Sequence, residues 1–171
     1  MKILKKILIG AIFLLVLVIS LSLSLDKKAP TVDLEDYSRR VEQALAEMKD
    51  PKLNYHSITQ ANDDNSILLT DSGNVAIFIK ENNKEYSLAM TSLEAITLGK
   101  ESFYNALRLL IGTVDDSLKM GDGQNVLNDL QINYNDLTNK DFISKTVRKN
   151  NISYSFVYSV KEGVMKLEAK K

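Results

Sequence analysis

Residues 7–25 (ILIGAIFLLVLVISLSLSL) form nineteen consecutive residues without a charge, directly after Lys2, Lys5 and Lys6. At a helical rise of about 1.5 Å per residue this run covers roughly 28 Å, close to the ~30 Å hydrocarbon thickness of a bilayer. A helix on the surface of a globular domain needs a polar face. This segment has none before Ser20. The run is therefore expected to be a transmembrane signal-anchor. The competing reading is a cleaved signal peptide. Ser20-Leu21-Ser22 and Ser22-Leu23-Ser24 are passable cleavage sites, but Ala-x-Ala is absent. The run also exceeds the about 7–15 residues of a signal-peptide core. Lys27 and Lys28 follow the segment, so with the start-Met amine the basic excess lies before it. The positive-inside rule then keeps the N-terminus in the cytoplasm and carries the rest across. Residues from about 26 onward are expected outside the cytoplasm under either reading, tethered to the cell membrane or secreted after cleavage.

The chain has no cysteine. Disulfides, thiolate metal sites and thiol nucleophiles are excluded, as is an N-terminal lipid-modified cysteine. An exported domain of this size must then be held by its core alone, and the length beyond residue 26 suffices for one. With the abundance of Lys, Asn and Ile, the missing disulfides point to a low-GC Gram-positive bacterium. Net charge is zero but unevenly spread: residues 140–171 carry +5, and residues 26–139 carry −8. The basic segment supplies Lys145, Arg148, Lys149, Lys161, Lys166, Lys170 and Lys171 as candidates for a face toward an anionic partner. Lysines that guard solvated strand edges would give the same pattern.

Periodicity organises residues 33–171 as one domain, after a basic tail (1–6), the apolar segment (7–25) and a linker (26–32). Leu34, Tyr37, Val41, Ala44, Leu45 and Met48 recur at helical spacing behind Asp33 as N-cap, and Asp50-Pro51 ends the pattern. The period then changes. Leu53–Thr59 and Ile67–Thr70 read as strands, Val75–Lys80 and Glu85–Met90 more clearly so, separated by Asp71–Asn74 and Glu81–Lys84 as turns. Strands joined by such short turns are antiparallel. A second helix is expected from near Lys100, with Phe103, Leu107, Leu110, Ile111, Val114 and Leu118 as its stripe and Asp115 facing away. After Gly121-Asp122-Gly123 a short helix carries Val126, Leu127 and Leu130. Ile152, Tyr154, Phe156, Tyr158 and Val160 alternate with Ser153, Ser155, Val157 and Ser159, the cleanest period-two run in the chain. Phe142–Arg148 and Val164–Ala169 are its expected hairpin neighbours. The order α-β(3-4)-α-α-β(3) implies an α+β fold, amphipathic helices packed on an antiparallel sheet.

No motif identifies a reaction. His56 is the only histidine, with no Gly-x-Ser-x-Gly elbow to suggest a hydrolase triad. Adjacent acids such as Asp63-Asp64 and Asp115-Asp116 point in different directions and make no acid/base dyad. Asp63-Asp64 lacks the spaced ligands of a calcium loop. Gly99-Lys100 lacks the remainder of a phosphate loop. Tyr154, Phe156 and Tyr158 could stack bases, but strand period beside a serine face makes them core. No cofactor, metal or nucleic acid is expected. The plan, an N-terminal anchor before a cysteine-free α+β domain, resembles that of many exported proteins of Gram-positive bacteria and implies no functional residues. The expectation is a non-enzymatic, membrane-tethered accessory domain that binds an envelope protein or an anionic surface polymer. A domain that takes a small ligand or lipid between helices and sheet is the alternative, and an enzyme of unrecognised type the third reading.

Overall fold

The computed structural model describes residues 34–61, 64–80, 84–115, 117–118 and 123–171. Helix α1 (Leu34–Met48) leads into strands β1 (Ser57–Ala61), β2 (Asp64–Leu68), β3 (Val75–Lys80) and β4 (Glu85–Thr91). Helices α2 (Ser92–Thr97), α3 (Lys100–Val114) and α4 (Gly123–Asp129) follow, then a 3-10 turn, Tyr134–Thr138. Strands β5 (Phe142–Lys149), β6 (Ile152–Ser159) and β7 (Val164–Lys170) complete the domain. The fold is α+β, with one seven-stranded antiparallel sheet of order β1-β2-β3-β4-β7-β6-β5. Two meanders thus meet where β4 pairs with β7.

Each strand's period of two sorts its side chains to opposite faces. The register aligns Ile58, Ile67, Ile77, Leu88, Leu167 and Phe156 in one cross-strand row. Helix stripes cover this face: Phe103, Leu107, Leu110 and Ile111 of α3 join the sheet residues in one buried apolar cluster. Helix α1 lies antiparallel beside α3. Tyr37, near its start, meets Thr113 at 3.0 Å across buried hydroxyls, and Asp50, just past its end, receives Ser102 and Asn105 from the first half of α3. Pro51 and a left-handed Lys49 (φ 53°) end α1.

Several boundaries differ from the sequence reading. Leu53 is buried but precedes β1, which starts at Ser57. The Asn54 and His56 N–H groups do bond the Leu69 and Leu68 carbonyls, so this segment follows β2 before the regular ladder begins. Strand β2 starts at Asp64 rather than Ile67, because its polar first half pairs with β1 and β3 on both sides. Helix α2 has no counterpart in the sequence reading. Its start is nonetheless written in Thr91-x-x-Glu94, whose threonine hydroxyl accepts the Glu94 N–H at 3.0 Å. Helix α3 stops at Val114, and Asp115 is buried rather than facing away. No helix among the described residues is long and apolar enough to cross a membrane. The apolar run 7–25 lies outside the described residues, as do the linker, Asp33 and Asp63.

Candidate binding surface

The helices occupy one face of the sheet. The apolar cluster draws its strand residues from that face alone, and among the described residues no element covers the other. The middle of this face, where Phe78, Ser144 and Thr146 are exposed and Ala76 and Ser87 are buried between their neighbours, consists of two registered rows. One runs Ser66, Phe78, Ser87, Glu168, Ser155, Thr146. The next runs Leu68, Ala76, Ala89, Lys166, Val157, Ser144. Five of these twelve side chains are apolar and five carry hydroxyls. The remaining two, Lys166 and Glu168, form an ion pair with each other. Phe78 is 43% exposed, one of few large apolar side chains left open. Thr146 and Ser155 bond to each other at 3.2 Å. Charge returns at the rim, where Glu85, Lys80, Lys170 and Arg148 belong to the row nearest the sheet end.

Two polar clusters among the described residues tie elements of the fold together. Asp50 is buried and accepts the Lys52 backbone N–H, the Ser102 hydroxyl at 2.9 Å and the Asn105 amide at 2.8 Å. Asn105 accepts from Arg108, which also donates to Gln124 of α4. This chain ties three helices together, and the 330 Å³ groove beside Asp50 is its shallow mouth. Asp115, past the end of α3, is the second tie. Burial pushes its carboxyl up, but hydrogen bonds from Ser117 and Asn150 and the Lys171 charge outweigh that and hold it below its ordinary value. Burial raises the Tyr154 hydroxyl, with the Asp115 charge a second cause. That hydroxyl is enclosed without a hydrogen-bond partner. Burial likewise raises Tyr37, inside the α1–α3 contact. His56 contacts the exposed Asp71 at 2.9 Å at the surface.

The register distributes the seven basic candidates. Arg148, Lys166 and Lys170 belong to the open face, and Lys171 follows Lys170 at the sheet end. Lys145 and Lys149 share the parity of Ile143 and Val147, on the helix side of edge strand β5, and Lys149 pairs with Asp129 of α4 at 3.0 Å. Lys161 lies in the β6–β7 turn, at the other end of the sheet. The structure brings Arg148 and Lys170 into one row and separates the rest. Tyr154, Phe156 and Tyr158 are fully buried, as core.

Among the described residues, no three His, Asp or Glu side chains converge as a metal site requires. No protein-family model, curated protein or solved structure matches this chain.

Proposed function

We propose that this chain is a membrane-tethered extracytoplasmic binding domain, without catalysis of its own, and that the open sheet face is its binding surface. The observation that carries the reading is the chemistry of that face. A protein interface has a centre depleted of charge around an aromatic anchor, and a polar rim. Here Phe78 stands among Ser66, Ala76, Ser87 and Ala89, with Lys80 and Glu85 on its rim side, and the two charges of the central rows, Lys166 and Glu168, pair with each other. An antiparallel sheet can leave one face to water, but this centre has fewer charges than a typical solvated surface. The apolar run 7–25 supplies the tether.

The grooves found among the described residues are open and lined by short stretches of chain, which gives the small-ligand reading less support. The test has two readouts. Membranes washed with carbonate should retain the protein at its full-length mass; a mature species beginning near residue 23 or 25 would replace tethering by secretion. A photoreactive side chain at Phe78 should capture a neighbour in intact cells, whereas one at exposed Gln43 on α1 should not. Equal capture at both positions would refute the assignment of the face.

A further inference from the structure

We propose that the open face packs against the same face of a second copy, about a two-fold axis running along the strands between β4 and β7. The inference rests on reading that face as the binding surface, and names its occupant.

Size is the first argument. The axis exchanges β2 with β5, β3 with β6 and β4 with β7 and leaves β1 outside, so six strands at about 4.8 Å spacing and four to five residues of each at about 3.3 Å give an overlap of roughly 25–30 by 13–17 Å. This is about half of the ~800 Å² per partner of a standard stable interface, the size of a weak contact that tethering would have to support. Helix α1 packs on the opposite side of the sheet from this face.

Self-complementarity is the second. Face-to-face sheets pack about 10 Å apart with strands nearly aligned. An isologous contact must place each residue opposite one that tolerates it in both directions. An axis between β4 and β7 exchanges β3 with β6 and β4 with β7 while each registered row stays opposite itself. Phe78 then lies over Ser155 of the second copy, a small residue that leaves room for the ring. Ser87, a small and buried side chain, faces Glu168, whose charge stays paired with Lys166 in the plane of the sheet. Ala89 faces Lys166, and Ala76 faces Val157. At the rim Glu85 faces Lys170. No like charges oppose one another in these pairs. A tether in the same membrane would raise the effective concentration of copies and favour even a modest contact.

The absence of cysteine makes the test direct. In the full-length protein in its own membranes, Ala89→Cys, Ser155→Cys and Gln43→Cys would each carry a benzophenone maleimide. Irradiation should yield an adduct of twice the 19.2 kDa chain mass from positions 89 and 155 but not from 43. Adding Ser155→Arg to the Ala89→Cys protein should cut the adduct at least tenfold with circular dichroism unchanged. If that variant misfolds, Phe78→Ser provides the same comparison. Equal dimer yield at all three positions overturns the proposal, since proximity alone would explain it. An adduct of another mass at position 89 also overturns it, while leaving the face as a binding surface for a different partner. Free labelling at position 89 with no adduct overturns both readings. A dimer adduct found only in the soluble fraction supports the pairing and removes the tether.

Discussion

Two phenylalanines on the same sheet provide a sharp test of which face the helices cover. Phe156 is fully buried and occupies the row with Leu167 and Leu88, within the cluster that α3 completes. Phe78 is 43% exposed on the opposite face. A buried aromatic side chain removes about 150–250 Å² from water, worth roughly 4–6 kcal/mol at about 25 cal/mol per Å². Truncation to alanine in a core costs about 3–5 kcal/mol once partial relaxation is allowed. Phe156→Ala should therefore remove a large share of the ~5–15 kcal/mol that stabilises a typical domain. Its midpoint should fall by on the order of 10 °C, given about 2–4 °C per kcal/mol in a domain somewhat larger than this one. Phe78→Ala leaves no enclosed cavity and should cost about 1 kcal/mol. Urea titration of both variants, with the slope m checked for constancy, measures the difference. Dilute protein keeps association out of the result. Equal small losses would mean that the helices do not seal the Phe156 side, and the assignment of the two faces would have to be reversed or abandoned.

Other substitutions probe the polar ties. Asp50→Ala leaves Ser102 and Asn105 without their acceptor and should cost about 2–3 kcal/mol by chemical denaturation; a loss under half that would mean the network is solvated. His56→Ala removes a surface contact and should change stability by less than about 0.5 kcal/mol in the same assay. Asp115 titrates below its ordinary value in the folded state, so its contribution is complete above the unfolded pKa of about 3.9 and is lost as pH falls through the folded value. Asp115→Asn should thus be less stable than the parent at pH 7, with the gap narrowing below about pH 4; a gap independent of pH would refute the assignment.

The elements legible in the sequence are those whose period is undisturbed. Ile152–Ser159 alternates without a fault because β6 lies between two strands and beneath the helices, so every second residue has to be apolar. The stripes of α1 and α3 are legible for the same reason. Strand β1 is harder to place because it lies at the sheet's edge, where burial asks less of the side chains, and β2 because its first half, beside that edge, is polar. Helix α2 is too short to show a period, and only its Thr91–Glu94 cap marks it. The junction of β4 with β7 is illegible, since it joins residues about eighty apart and no turn records it.

The basic segment demonstrates what a charge count leaves out. Its lysines are visible as a run, but parity decides which face each one reaches. Lys145 and Lys149 step with Ile143 and Val147, whereas Lys166 and Lys170 step with the positions between Met165, Leu167 and Ala169. That parity is present in the amino-acid sequence and is enough to divide the candidates between the two faces. The open face leaves no such mark. A strand with one apolar side and one serine side looks the same whether water or protein covers the serines. Only the order of the strands makes Phe78, Ser87, Glu168 and Ser155 a continuous row, and lets a single axis set this row against itself. The surface proposed for binding is therefore specified by the pairing of the strands more than by any one segment.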